Sequence, residues 1–107
     1  MEIIIHGRNL DTTEAIKNYV RKKASKLTKY SNKINKIQFT LKIEGQKQIV
    51  ESVCSIVGTT LVAENANSDM YAAIDLVVDK LEKQFIRQKG KLRKPRRNRK
   101  GETTMEE

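Results

Sequence analysis

The chain has 107 residues, 37% of them apolar, and its 22 lysines and arginines outnumber 13 acids for a formal net charge of +9. A length of this order makes one domain. A lone cysteine forms no internal disulfide, and one cysteine with one histidine builds no Cys/His zinc site. No apolar run approaches the roughly 20 residues that span a bilayer, and Met1-Glu2-Ile3-Ile4-Ile5-His6 carries no basic leader pattern, so the chain reads as a cytoplasmic protein without a membrane partner.

Glu2 to Arg8, rich in isoleucine, reads as a short strand. Asp11 stands three residues before Glu14, a capping-box spacing. From Thr12 to about Lys29, Ile16, Tyr19, Val20, Ala24 and Leu27 recur at helical spacing, and Ser31-Asn32 breaks the pattern. Residues 36–44 alternate strictly. Ile37, Phe39, Leu41 and Ile43 face one way, and Lys36, Gln38, Thr40, Lys42 and Glu44 the other, the signature of a sheet with one packed and one wet face. A turn at Glu44-Gly45-Gln46-Lys47 leads to a strand over Ile49–Val57, and Gly58-Thr59 leads to another over Thr60–Ala66. Asn67-Ser68-Asp69 offers N-cap residues to a long helix, which should end by about residue 93, before Pro95.

The order β-α-β-β-β-α predicts an α+β fold, a four-stranded mixed sheet with both helices packed on one face. Residues 1–93 form the domain. Residues 94–107, basic and then acidic, read as a flexible tail or the opening of a linker.

Charge is unevenly placed. Residues 80–100 hold eleven basic side chains and one acid, Glu82. At about 100° per residue, Met70, Ile74, Val77, Val78, Leu81 and Phe85 share the apolar stripe of the long helix. Asp75, Asp79 and Glu82 form a second stripe, and Lys80, Lys83, Arg87, Lys91 and Lys94 a third. Like charges four apart destabilise a helix, and acids on their own stripe leave these lysines unscreened. Such segregation suits a polyanion. The first helix repeats the device with Lys22, Lys26 and Lys29. The RNA-binding candidates are therefore Lys22, Lys26, Lys29, Lys80, Lys83, Arg87, Lys91, Arg93 and Lys94. No Ser/His/Asp set, phosphate-cradling glycine loop or paired catalytic carboxylate is present, so the chain reads as no enzyme, with no cofactor and no metal site. Cys54 reads as a buried core thiol and His6 as a structural or surface residue.

The chain resembles the ribosome hibernation-promoting factors, also called the sigma-54 modulation or ribosome-associated inhibitor family. The resemblance is carried by Gly7-Arg8-Asn9, Thr13-Glu14-Ala15-Ile16, Lys26-Leu27 with Tyr30, and above all Asp69-Met70-Tyr71-Ala72-Ala73-Ile74-Asp75 followed by Asp79-Lys80-Leu81 and Gln84. It implies the same β-α-β-β-β-α fold and binding to small-subunit ribosomal RNA in the decoding channel. There such proteins block messenger and transfer RNA and inhibit translation in idle cells. The RNA contacts it implies are the basic positions of the two helices, while Leu76 stands where some members have glycine. Family members are short, or long with a C-terminal dimerisation domain, and this tail looks more like the start of a linker. Without that domain the chain is expected to be monomeric, and a long parent a homodimer. The competing readings are a generic structured-RNA-binding domain and a binder of acidic membrane or protein surfaces.

Overall fold

The structure, a computed structural model, describes residues 1–30 and 32–93, with side chains as far as residue 88. Four strands, β1 (Glu2–Arg8), β2 (Ile34–Glu44), β3 (Lys47–Ile56) and β4 (Thr59–Asn67), form one sheet in the order β1-β2-β3-β4. β1 runs parallel to β2, and the other two pairs are antiparallel. Helix α1 (Glu14–Ala24) joins β1 to β2 and continues as a 3₁₀ extension, Ser25–Tyr30; helix α2 (Met70–Arg93) follows β4. The α+β architecture expected from the patterning is the one found. The expected tail, 94–107, and the expected helix breaker Ser31 lie outside the described residues.

Local chemistry sets the element ends. Thr13, two residues later than the Asp11 spacing suggested, caps α1 by accepting the Ile16 N–H at 3.1 Å. The helix narrows to a 3₁₀ turn where Ser25 and Thr28 donate their hydroxyls to the Lys22 and Ser25 carbonyls, at 2.5 and 2.7 Å. Side-chain bonds back to a carbonyl three residues earlier compete with α-helical geometry. Asp69 caps α2, accepting the Tyr71 N–H at 3.0 Å. The β2–β3 and β3–β4 turns pass through Gly45 and Gly58 at φ of 63° and 84°, a region costly for residues with a Cβ.

Alternation in the strands decides which face is buried. Ile37, Phe39 and Leu41 of β2, Val50, Ser52 and Cys54 of β3, and Leu61 and Ala63 of β4 point under the helices. Above them lie Val20, Ala24 and Leu27 from the first helical segment and Met70, Ile74, Val77, Val78, Leu81 and Phe85 from α2. Phe39 is the largest fully buried side chain, and its truncation to alanine should cost about 3–5 kcal/mol. Ser52, the one buried polar residue among those described, donates to the Gln38 carbonyl at 2.9 Å. α2 packs over β3 and β4, and α1 packs beside it, against β1. Both helices therefore present their outer faces on the same side of the molecule.

Candidate nucleic-acid interface

Two helices side by side create a groove, and its two walls carry opposite charge. The wall from α2 is the acidic stripe Asp75, Asp79 and Glu82. The wall from α1 and its 3₁₀ extension is Lys23, Lys26 and Lys29. Lys23 stands 3.6 Å from Asp75, Lys26 pairs with Asp79 and lies 3.6 Å from Glu82, and Lys29 is 3.1 Å from Glu82. The pairing raises the pKa of Lys26, chiefly through its hydrogen bond to Asp79, and that of Lys29 through Glu82.

Aromatic residues close the same groove at both ends. The Tyr19 hydroxyl donates to Asp75 at 2.8 Å, its ring meets Tyr71 edge-on with centroids 4.8 Å apart, and the Lys23 ammonium sits 5.6 Å from the Tyr19 ring centre. At the other end Tyr30 stacks on Phe85 at 4.3 Å. These contacts fix the relative position of the helices, and nothing in residue spacing signalled them. They join positions far apart in the chain that meet only once both helices lie on the sheet.

This arrangement gives the basic positions unequal surroundings. The acids of α2 do leave that helix's own ridge unscreened, but they neutralise the ridge opposite. Lys26 and Lys29, predicted as phosphate ligands, are held by carboxylates, whereas Lys22 is exposed with no ion pair among the described residues. A phosphate approaching Lys26 or Lys29 must compete with a carboxylate already in contact.

On α2 the predicted ridge divides. Lys80 turns onto the free edge of β4 and donates to the Glu64 backbone carbonyl at 2.6 Å; Gln84, one turn on, donates to the Val62 carbonyl at 2.7 Å. An unpaired strand edge is a template for self-association, and these two side chains cover it. Lys83 and Arg87 remain exposed, with no ion pair among the described residues. Lys91 and Arg93 fall within α2 as expected, with side chains outside the described residues, and Lys94 also lies outside them. Among the predicted RNA-binding positions, the open positive surface is thus Lys83 and Arg87 on one helix and Lys22 on the other, with the mixed-charge groove elsewhere on the same face.

Comparison with known proteins is consistent along nearly the whole described length. The family model described as sigma 54 modulation protein / S30EA ribosomal protein matches residues 3–93. The chain is 40% identical over 91 residues to the ribosome hibernation promoting factor of Azotobacter vinelandii, covering 85% of each. It is 38% identical over 93 residues to the protein of the same name from Salmonella typhimurium, covering 87% of this chain and 98% of that one. Among solved structures, a ribosomal subunit interface protein from Coxiella burnetii superposes with a TM-score of 0.80 at 29% identity, covering 84% of this chain and 99% of that one. The N-terminal domain of Protein Y from Thermus thermophilus gives 0.76 at 37% identity, covering 82% and 99%.

Proposed function

The chain belongs to the sigma 54 modulation protein / S30EA ribosomal protein family, and from that premise we propose that it is a cytoplasmic ribosome hibernation factor, one that binds small-subunit ribosomal RNA in the decoding channel. It acts by occupancy, excluding messenger and transfer RNA and so inhibiting translation, and it transforms no substrate. The observation that carries this reading is the exposed pair Lys83 and Arg87, one turn apart on the outer face of α2, on a face that also exposes Lys22. Cations at that spacing, free of carboxylates among the described residues, suit successive phosphates of a folded RNA. No described helix is long and apolar enough to cross a membrane.

Co-sedimentation with isolated small ribosomal subunits, with transfer RNA as competitor, tests the reading. Binding should be lost as salt is raised and should exclude transfer RNA. Simultaneous occupancy by both would remove the decoding channel from the proposal, and equal affinity for any structured RNA would favour a generic RNA-binding domain. Cleavage or modification of the RNA would overturn the occupancy mechanism.

A further inference from the structure

The seam between α2 and β4 has a regular geometry that stops one step short. Lys80 donates to the Glu64 carbonyl and Gln84 to the Val62 carbonyl. Four helix residues rise about 6.0 Å and two strand residues about 6.7 Å, so the next rung sets Gln88 beside Thr60. Thr60 faces Ser55 across β3 in the alternation that pairs Val62 with Val53 and Glu64 with Glu51. Its carbonyl and N–H therefore point out of the same free edge. No hydrogen bond closes this rung among the described residues. Here the seam opens into a groove of about 200 Å³ lined by Thr59, Thr60, Leu61, Gln84, Arg87 and Gln88.

Five of those six side chains can hydrogen-bond, and Arg87 alone is charged. The volume is below the roughly 300–1,000 Å³ of a pocket for a drug-sized ligand, so the groove suits one unit of a polymer. A gap between an amide donor and a carbonyl acceptor fits a hydroxyl, which donates and accepts at once. A phosphate oxygen only accepts, so it suits the Arg87 guanidinium and not the Thr60 carbonyl.

We infer that this unclosed rung reads ribose: a 2′-hydroxyl of bound RNA donates to the Thr60 carbonyl and accepts from the Gln88 amide, while Arg87 takes the adjoining phosphate. The inference rests on the RNA-binding reading above and adds a means of preferring RNA to DNA, since the 2′-hydroxyl is the group that differs.

The test measures binding of the full chain to oligouridylate and to oligodeoxyuridylate of the same length, at one ionic strength, beside binding to small ribosomal subunits. Each net hydrogen bond is worth about fivefold, so the two made by the 2′-hydroxyl predict an RNA preference of up to about thirtyfold. Gln88→Met, which keeps the length and removes the donor but leaves the Thr60 carbonyl, should cut that preference about fivefold and leave DNA affinity unchanged. Arg87→Gln should weaken both strands alike and keep the ratio. Equal affinity of the wild type for the two strands, or a ratio unchanged by Gln88→Met, would overturn the inference while subunit binding persists. Failure of the wild type to bind subunits or either strand would overturn the RNA-binding reading and this inference together.

Discussion

The Tyr19 hydroxyl donates to the Asp75 carboxylate at 2.8 Å and joins α1 to α2 across 56 residues of sequence. That bond is the main reason the Tyr19 phenol ionises at higher pH than an ordinary tyrosine. The bond exists only with the phenol protonated. Its contribution to stability is complete below the usual tyrosine range and is lost as pH rises through the raised value. Ultraviolet titration of the wild type should therefore show a late component from Tyr19. Tyr19→Phe should remove it, and Asp75→Asn should move it to lower pH, toward the usual tyrosine range. A late component that survives Tyr19→Phe would place the shift on another residue.

The mixed-charge groove predicts unequal roles for the basic residues. Each phosphate contact contributes about 0.7–0.9 to the salt slope of binding, depending on the nucleic acid. Lys83→Gln with Arg87→Gln should weaken binding to small subunits and reduce the slope by about one to two units. Lys26→Gln with Lys29→Gln should change it less, because those ammonium groups already face Asp79 and Glu82. The reverse exchange, Asp79→Asn with Glu82→Gln, should release both lysines and steepen the slope. Equal slopes for the two lysine pairs would show that the carboxylates do not compete with RNA.

How far the sequence could be read follows from the range of each interaction. Strict alternation in β2 placed Ile37, Phe39 and Leu41 in the core, because period and burial belong to one strand. The same alternation failed at Ile43, 42% exposed, where the strand end runs past the helices. Ile49 shows the converse. It lies on the outer face between Lys42 and Ala66, yet is only 7% exposed. The helical wheel separated acids from bases on α2 correctly. It could not show that the acids face Lys23, Lys26 and Lys29, which depends on how two helices sit side by side. Nor could it show that Lys80 reaches a strand edge, since a wheel gives the direction of a Cβ and not the reach of a long side chain.

Lys80 and Gln84 cover the edge of β4, and their removal has a specific consequence. Lys80→Ala with Gln84→Ala should cost about 1 kcal/mol per lost bond at most, since both side chains are near solvent. The larger effect should be association of chains through the uncovered Val62 and Glu64 carbonyls. Light scattering over a concentration series should show oligomers of the double variant and none of the wild type. A double variant that stays monodisperse would mean that the edge is protected by something other than these two residues.

Cys54, 1% exposed on the inner face of β3, has its thiol pushed up from 9.0 to about 11 by burial. The unfolded chain ionises this thiol first, so the folded state holds the extra proton between those two values. Stability should therefore fall across that window, by up to roughly 3 kcal/mol from this group. Denaturation of the wild type and Cys54→Ala at neutral pH and through the window checks this. The variant should lose less on the alkaline side, whatever its neutral stability. Parallel pH profiles would show that the thiolate is solvated in the folded protein.

The outer face of the sheet bears on assembly. One cross-strand row, Ile4, Gln38, Val53 and Val62, carries most of its apolar surface, with Ile4, Val53 and Val62 at 36%, 38% and 59% exposure. Gln38 interrupts that row. On one side lie Glu2, Lys36, Ser55 and Thr60, and on the other His6, Thr40, Glu51 and Glu64. A stable dimer buries about 800 Å² per partner around an apolar centre, which a single broken row does not supply. A charge of +9 on each copy adds repulsion. The chain of residues 1–107 should sediment as a monomer, and ribosomes mixed with it should be occupied without pairing. A ribosome-dimer peak produced by this chain alone would show that the sheet face, or a surface beyond it, does self-associate. Val53→Lys with Val62→Lys would then tell the two apart, since only an interface on this face would be abolished.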